Sequence, residues 1–167
     1  MSDRCKIVAC AQITNVTGTR QPIEKITELA HSVGSVVVID GAQGIVHEQL
    51  DLSVSDIDFY VFSGHKLYAP AGIGVLYGKL ELLEAMPPWH GGGKMVERVS
   101  FEKTTFSALP GKFEAGTPNV AGAIALAKAI ELLLSALFQR LLTRHVEFEK
   151  HKKRRLTTTP PRQTKTG

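Results

Sequence analysis

Along the first forty residues, two short continuous apolar runs flank one segment in which apolar and polar positions are mixed. Residues 6–13 and 35–39 are short apolar runs, which are typical of buried β-strands. Between them, residues 22–32 begin with a proline, are followed by Gly34 and place apolar side chains at helical spacing: Ile23, Ile26, Leu29 and Ala30. The pattern predicts a strand, an amphipathic helix and a second strand, which together form a βαβ unit with a right-handed crossover.

The rest of the apolar pattern predicts two more strands and two more helices. Residues 58–62 and 72–77 are typical of strands, and residues 79–86 of a short helix. Residues 118–144, rich in Ala and Leu, predict a long helix that Thr117 is placed to cap at its N-terminus. Strands that alternate with helices indicate an α/β fold with a mostly parallel sheet and flanking helices.

The net charge of +4 comes from one end of the chain. Residues 150–167 contain seven Lys or Arg and no acid, so the rest has 13 basic and 16 acidic residues, a net charge of −3. We therefore expect no nucleic-acid binding by the folded part. Residues 148–167 have little to bury, which predicts a disordered basic tail after a domain of residues 1–147. A weaker hypothesis makes this tail a nucleic-acid contact with salt-sensitive binding.

Composition and cysteine spacing exclude several other classes of protein. No apolar stretch approaches the roughly 20 residues of a membrane span, so we expect no membrane partner. The first six residues carry charges of both signs, unlike a signal peptide, and we expect a cytoplasmic protein. Cys5 and Cys10 lie five residues apart with no paired ligand cluster, which predicts two reduced strand cysteines and no metal site.

Polar side chains follow three of the predicted strands at the point where each strand ends. They supply a carboxylate, two amides, a hydroxyl, an imidazole and an amine, and they are Asn15, Asp40, Gln43, Ser63, His65 and Lys66. In open α/β sheets, ligands bind outside the carboxyl ends of the strands. A Lys that forms a Schiff base and a carboxylate that holds a pyridine nitrogen protonated are the minimal apparatus for pyridoxal 5′-phosphate (PLP) chemistry. Asp40 and Lys66 therefore predict a PLP site.

Four stretches of the chain resemble a known family when they are taken together. They are Ile-Asp-Gly-Ala-Gln at 39–43, Phe-Tyr-Val-Phe-Ser-Gly-His-Lys at 59–66, Gly-Gly-Gly at 91–93 and Phe-Glu-Ala-Gly-Thr-Pro-Asn at 113–119. The combination closely resembles the PLP enzymes of aminotransferase class V, and within them the cysteine desulfurases and cysteine sulfinate desulfinases. The resemblance covers roughly residues 6–132. It implies part of the large domain of the fold-type-I PLP-dependent transferases.

The resemblance implies a role for each polar residue. Lys66 binds PLP covalently and later moves protons, and Asp40 pairs with the pyridinium nitrogen. Gln43 hydrogen-bonds the phenolic oxygen of PLP, and Asn15 lies near that oxygen and the substrate. Ser63 and His65 hold the phosphate. Thr117 resembles a threonine offered to the phosphate of the other subunit, which implies a homodimer.

Simpler explanations compete with these roles. Asp40 can merely cap the turn that follows it, and Gln43 and Asn15 can be ordinary turn residues. Thr117 can be only a helix N-cap, and residues 91–93 only a flexible loop. His31, His47, Trp89 and His90 are interpreted as surface or packing residues.

The resemblance also implies parts that this sequence does not contain. Family enzymes have a preceding segment that stacks an aromatic or His on the cofactor, and a C-terminal domain with the nucleophilic Cys and an Arg for the substrate carboxylate. Neither Cys5 nor Cys10 lies where that Cys belongs, and the sequence from Ala136 does not resemble the family. We therefore expect a fragment of a cysteine desulfurase that is inactive, or only weakly PLP-binding, by itself.

The full-length reaction implied is conversion of L-cysteine to L-alanine with transfer of the sulfur, or desulfination of cysteine sulfinate. A sulfur-acceptor protein is the implied partner, in sulfur mobilisation such as iron–sulfur cluster assembly. The alternatives are a non-catalytic module that binds PLP or pairs with a full-length enzyme, and another class V activity, transamination or a lyase step.

Overall fold

The structure is a computed structural model that describes residues 1–135 of the chain. The strands are β1 (Ile7–Ala11), β2 (Val36–Asp40), β3 (Phe59–Ser63), β4 (Gly74–Gly78), β5 (Val96–Val99) and β6 (Thr104–Phe106). The α-helices are α1 (Ile23–His31), α2 (Gly44–His47), α3 (Leu80–Ala85) and α4 (Val120–Leu134), with short 3-10 helices at Gly64–Leu67 and Gly111–Phe113. The predicted α/β class is confirmed, since the chain forms a sheet with helices between its strands.

The main sheet has four strands in the order β1-β2-β3-β4. The first three strands are parallel, and β4 runs antiparallel to β3. Ala11 pairs with Asp40, and Asp40 pairs with Val61. The prediction of a mostly parallel sheet is therefore confirmed, and the carboxyl ends of β1, β2 and β3 lie at one edge of the sheet.

Apolar side chains of α1 pack on one face of this sheet. Ile23 and Ala30 from α1 form the core with Val37 and Ile39 from β2, with Tyr60 from β3 and with Ile57 just before β3. These four residues of α1 and β2 are at most 1% exposed, whereas Val36 and Val38 on the other face are only half-buried. A continuous apolar run is typical of a parallel strand covered on both faces, but within the described residues burial alternates along β2.

The other face carries exposed apolar side chains near the β3–β4 edge. Val61 and Leu76, which pair across the two strands, are 37% and 55% exposed. The faces of parallel sheets are usually covered by helices. Because these side chains are exposed, this face of the sheet presents a hydrophobic surface.

An ionic cluster lies where β2 and β3 begin. Asp58 accepts hydrogen bonds from the Val37 amide (2.7 Å), His31 Nε2 (2.8 Å) and Lys79 Nζ (2.9 Å). Asp56 contacts the same His31 and Lys79 at 3.2 Å and 2.6 Å. Burial raises the pKa of Asp58, but the hydrogen bonds from Lys79, His31 and Val37 outweigh it and leave that pKa below its usual value. The cluster joins the end of α1 to the starts of β2 and β3 and the end of β4.

Within residues 1–135, the strands β5 and β6, the helix α2 and the two 3-10 helices were not predicted. The hairpin β5–β6 contains a register shift between Val96 and Arg98, and α2 is a single turn. Each is three or four residues long and lacks the apolar periodicity on which a prediction depends.

The start of α4 corrects one expectation. The helix begins at Val120, and Asn119 Oδ1 accepts a hydrogen bond from the Gly122 amide at 2.9 Å. Asn119 is therefore the N-cap, and the prediction that Thr117 caps the helix is wrong. The predicted continuation of this helix to residue 144 lies outside the described residues.

The chain divides into two compact units, residues 1–126 and residues 127–167. In the second unit, the structure describes only residues 127–135, which contain the last two turns of α4. The predicted domain boundary at residue 147 and the basic tail of residues 148–167 lie outside the described residues. Among residues 1–135, no helix has the length and apolar character needed to cross a membrane.

Candidate functional site

The polar residues predicted from the sequence lie at the carboxyl edge of the parallel strands. Asp40 is the last residue of β2, and Ser63 is the last residue of β3. Neighbouring strands are about 4.8 Å apart, and a residue advances about 3.3 Å along a strand. Since Asp40 pairs with Val61, Ser63 lies only two residues beyond the position beside Asp40. The parallel register therefore places the two groups of predicted site residues on adjacent strand ends.

Backbone hydrogen bonds hold the turn after β2 to both neighbouring strands. The Gln12 amide donates to Asp40 O at 2.8 Å, and the Gly41 amide donates to Val61 O at 2.8 Å. The exposed Asp40 carboxylate accepts the Ala42 amide through Oδ1, also at 2.8 Å. Asp40 therefore does cap its own turn, as the simpler explanation held, and its other oxygen accepts no hydrogen bond from residues 1–135.

Asn15 and Gln43 are brought together by the fold. Gln43 Nε2 donates a hydrogen bond to Asn15 Oδ1, although the two residues are 28 positions apart. Gln43 is half-buried at the N-cap position of α2, and Asn15 is exposed in the turn after β1. The two amides therefore form one unit above the ends of β1 and β2.

The loop that carries Lys66 makes a tight turn after β3. The Gly64 amide donates to Ile73 O at 2.8 Å, and a Cβ at Gly64 would lie 2.7 Å from Ile73 Cγ2. Only glycine fits this position, which explains the Gly between Ser63 and His65. The 3-10 helix ends at Leu67 and is capped by Tyr68, a non-glycine residue with a left-handed φ of 63°. Lys66 therefore lies two residues before the left-handed Tyr68 that ends this turn.

The side chains on this loop differ in exposure. Lys66 and Ser63 are half-buried and His65 is exposed. Within residues 1–135, Lys66 Nζ makes no hydrogen bond or ion pair. An amine that is partly removed from water and bonded to no neighbour in this part of the chain suits covalent chemistry with an aldehyde.

A row of buried polar side chains lies beneath the turn after β2, and the sequence did not predict it. Tyr60 Oη donates to Gln12 Oε1 at 2.6 Å, and Gln12 Nε2 donates to Glu48 Oε2 at 3.0 Å. Glu48 Oε1 lies 3.0 Å from Arg20 Nε. Both Tyr60 and Gln12 are 1% exposed. The one signal in the sequence is Gln12, a polar residue within the apolar run of residues 7–13.

Burial dominates the titration of Tyr60. Burial, followed by the charges of Asp40 and Glu48, raises the pKa of Tyr60 to about 12. The hydroxyl therefore stays protonated at neutral pH and remains a hydrogen-bond donor to Gln12.

Thr117 lies in the segment that leads into α4. It is exposed and follows Gly116, which has a left-handed φ of 86° and donates its amide to Gly93 O at 2.9 Å. Asn119 Nδ2 donates to Gly72 O at 3.1 Å and so ties this segment to the loop that follows Lys66. No contact in the described part of the chain joins Thr117 to Asp40 or Lys66. Its predicted role toward a partner subunit stays a prediction.

The two cysteines differ in location. Both are free, but only Cys10 lies in a strand, since Cys5 precedes β1; the prediction that both are strand residues is wrong for Cys5. Burial raises the pKa of the Cys10 thiol, which makes its thiolate scarce at neutral pH. Among residues 1–135 there is no group of three His, Cys, Asp or Glu side chains that could hold a metal ion.

Comparison with known proteins decides the family. The model of the family described as "Aminotransferase class-V" matches residues 1–166. The chain belongs to the class V aminotransferase family. This confirms the resemblance found in the sequence motifs.

Individual relatives of this class V chain are cysteine desulfurases. A "Probable cysteine desulfurase" of Vibrio cholerae is 78% identical over 131 residues, which are 78% of this chain and 32% of the relative. Cysteine desulfurase CsdA of Escherichia coli is 58% identical over 133 residues. Its crystal structure superposes with a TM-score of 0.77 over 80% of this chain and 33% of that chain. A cystine C-S lyase in complex with its reaction product, cysteine persulfide, is 28% identical with a TM-score of 0.71, over 79% of this chain and 36% of that chain.

The class V chain spans about a third of the length of the curated relatives that it matches. The residues present fit PLP by their chemistry. An amine can bond the aldehyde, a carboxylate can pair with the pyridine nitrogen, and a hydroxyl with an imidazole can bind the phosphate, and all lie on the ends of β2 and β3.

Proposed function

We propose that this chain binds PLP at the carboxyl edge of β1, β2 and β3 and forms the cofactor-binding centre of a cysteine desulfurase. The single observation that carries the proposal is the placement of Asp40 and Lys66 at the ends of two adjacent parallel strands. Ligands of open α/β sheets bind at such strand ends. The proposed domain extends over residues 1–147, with residues 148–167 as a basic tail.

Each polar residue has a proposed task. Lys66 Nζ bonds PLP covalently and then moves protons to and from the substrate carbon. The Asp40 carboxylate oxygen that does not accept the Ala42 amide holds the proton on the pyridine nitrogen. Bound PLP supplies the electron sink that stabilises negative charge at that carbon.

The amide pair and the phosphate donors orient the cofactor. Gln43, held by Asn15, has a second amide hydrogen that can donate to the phenolic oxygen of PLP. Ser63 Oγ and His65 donate to the phosphate, where a half-buried hydroxyl and an exposed imidazole suit an anion.

The proposed substrate is L-cysteine, which yields L-alanine while the sulfur passes to a thiol; cysteine sulfinate is the alternative substrate. Desulfuration needs a thiolate that attacks the substrate sulfur. Burial raises the pKa of Cys10 and so disfavours its thiolate. We therefore propose that neither Cys10 nor Cys5 carries the sulfur, and that the 167-residue chain turns over little or no L-cysteine by itself.

The proposed setting follows from the family. We propose a cytoplasmic homodimer in which Thr117 of one subunit reaches the phosphate site of the other, and a sulfur-acceptor protein as partner. Sulfur transfer for iron–sulfur cluster assembly is the proposed context. A PLP-binding or dimer-partner module without catalysis is the alternative for the isolated chain.

A second candidate activity is a C–S lyase step. The relative solved with cysteine persulfide is a cystine C-S lyase, and it superposes over 79% of this chain. Asp40 and Lys66 serve both chemistries, because both need the same electron sink. Release of cysteine persulfide from cystine, without sulfur transfer to a protein thiol, distinguishes the lyase from the desulfurase.

The test is covalent capture of PLP. Purified chain is mixed with PLP, its visible absorbance is recorded, and borohydride is added before peptide mass mapping. We expect a yellow band and a phosphopyridoxyl group fixed on Lys66, both lost in Lys66→Ala. Lys25→Ala, an exposed lysine on α1, is the matched control and should behave as wild type. Equal labelling of Lys66→Ala and wild type, or no band in either, would refute the proposed site.

A further inference from the structure

A chain of hydrogen bonds runs under the turn that carries Asp40 and Gln43. It starts at Tyr60 on β3, passes through Gln12 beyond the end of β1 and reaches Glu48 just after α2. It ends at Arg20, which is exposed and pairs with Glu48 at 3.0 Å. These hydrogen bonds therefore connect β3 and the segment after β1 to the end of α2, the helix that follows the turn.

The direction of these hydrogen bonds is set by the groups themselves. Glu48 can only accept when ionised, so the Gln12 amide must donate to it and present its oxygen to Tyr60. Tyr60 then donates its hydroxyl hydrogen to that oxygen. Since Tyr60 and Gln12 are both 1% exposed, water does not replace a lost partner at low cost. A single change therefore leaves a buried polar atom without a partner.

The same side chains also support the turn by contact. The Tyr60 ring packs so closely on Gly41 that a Cβ there would overlap the ring. The Gln12 carboxamide lies equally close to Gly44, the first residue of α2. The two glycines rest on Tyr60 and Gln12, and they flank Ala42 and Gln43 in the sequence.

We propose that Tyr60 and Gln12 are positioning residues that set the height and tilt of the turn from Asp40 to Gln43 above the sheet. The cofactor part of this inference rests on the proposed function, because it assigns Asp40 and Gln43 to the PLP ring. The support of the turn itself does not depend on PLP. The pKa of Tyr60, raised to about 12, keeps the hydroxyl a donor over the working pH range.

Tyr60→Phe tests the proposal with the least disturbance. The ring under Gly41 stays, the hydroxyl is lost, and the buried oxygen of Gln12 loses its donor. Gln12→Met, of similar length and without polar atoms, removes both hydrogen bonds and is the second variant. Thr27→Val is the matched control, because Thr27 is 2% exposed and donates a buried hydrogen bond to Ile23 O within α1.

The first measurement is amide hydrogen exchange of the full chain without PLP. The turn is reported by the amides of Gly41, Ala42 and Ile45, and the core of β2 by those of Val37 and Ile39. In Tyr60→Phe and Gln12→Met we expect the turn amides to exchange about five-fold faster relative to the core amides, as loss of one buried hydrogen bond implies. In Thr27→Val the ratio should stay as in wild type. An unchanged ratio in both variants, or the same change in Thr27→Val, overturns the proposal.

The second measurement is the affinity for PLP and the absorbance spectrum of bound PLP, at a temperature well below the melting temperature of each variant. We expect about five-fold or more weaker binding in Tyr60→Phe than in Thr27→Val, together with a shifted visible band, because Asp40 no longer faces the ring nitrogen correctly. Wild type that binds no PLP would refute the proposed function, while hydrogen exchange still decides the support of the turn. PLP binding that is equal in Tyr60→Phe and Thr27→Val would overturn the cofactor part of the inference.

Discussion

Gln43 donates a side-chain hydrogen bond to Asn15 and so joins the turn after β2 to the turn after β1. Neither residue has this partner until β1 and β2 pair in parallel, with Ala11 opposite Asp40. The bond orients the remaining amide hydrogen of Gln43, so the two residues should act together on PLP.

We predict that Asn15→Ala and Gln43→Ala each weaken PLP binding and that the double variant loses less than the two single losses combined. Once the hydrogen bond between Gln43 and Asn15 is lost, the second substitution lowers the PLP affinity by less. The interaction free energy between the two residues should be about 1 kcal/mol, which corresponds to about five-fold in affinity. Equilibrium titration of PLP with the four proteins measures it. Ser53→Ala, which removes a side-chain bond to Asp51 in a different loop, is the control and should leave the affinity unchanged. Additive losses would show that the two amides act separately.

Gly41→Ala should destabilise the chain strongly. The added methyl group would overlap the Tyr60 ring, which is buried and also held by its hydrogen bond to Gln12. Overpacking of this kind costs about 1–3 kcal/mol. Urea unfolding followed by circular dichroism measures the loss. Gly91→Ala, where nothing lies within 4 Å of the new Cβ, is the control and should change stability by less than about 0.5 kcal/mol. Equal stability of the two variants would contradict the contact between Gly41 and Tyr60.

The ionic cluster at the start of the sheet should make stability depend on acid pH. Hydrogen bonds hold the pKa of Asp58 below its usual value in the folded chain. Its contribution is therefore complete above the unfolded pKa of about 3.9, and it is lost as the pH falls through the lower folded pKa. Asp58→Asn should cost about 2 kcal/mol at pH 7, because charged hydrogen bonds from Lys79 and His31 are weakened.

Thermal unfolding of wild type and Asp58→Asn between pH 7 and pH 2.5 tests this dependence. The two melting temperatures should differ most at neutral pH and draw together as the pH falls below the unfolded pKa of about 3.9, because wild type then loses the stabilisation that the ionised Asp58 provides. Asp3→Asn removes an exposed carboxylate near the N-terminus and should follow the wild-type curve. A constant gap between wild type and Asp58→Asn at every pH would contradict a role for the Asp58 charge.

Asn119, and not Thr117, should contribute to the stability of α4. Asn119 caps the first turn at Gly122 and donates to Gly72 O, whereas Thr117 is exposed before the helix begins. Asn119→Ala should cost about 1–2 kcal/mol in urea unfolding. Thr117→Ala should stay within about 0.5 kcal/mol of wild type. If Thr117→Ala were the more destabilising variant, the helix would begin earlier than the structure places it.

The sequence alone determined the elements that have a strong periodic signal. β1, α1, β2, β3, β4 and α3 were predicted within two residues at each end, and α/β alternation with a mostly parallel sheet followed from their order. Asp40, Ser63 and Lys66 could be predicted as candidate site residues because parallel strands bring their carboxyl ends to one edge of a sheet. The family motifs at residues 39–43 and 59–66 were local in sequence, so they could be found without coordinates.

Only the tertiary structure decided which groups meet across long sequence separations. Tyr60 reaches Gln12 over 48 positions and Gln12 reaches Glu48 over 36, and nothing in their local sequence marks them as partners. Asn119 rather than Thr117 is the cap because the backbone enters α4 at Val120. The hydrogen bond from Asn119 to Gly72 O helps to set that entry point. Periodicity reports which faces of an element are buried. Which buried polar side chains bond to each other is decided by packing, because a buried hydrogen-bonding group is stable only where the fold supplies its partner.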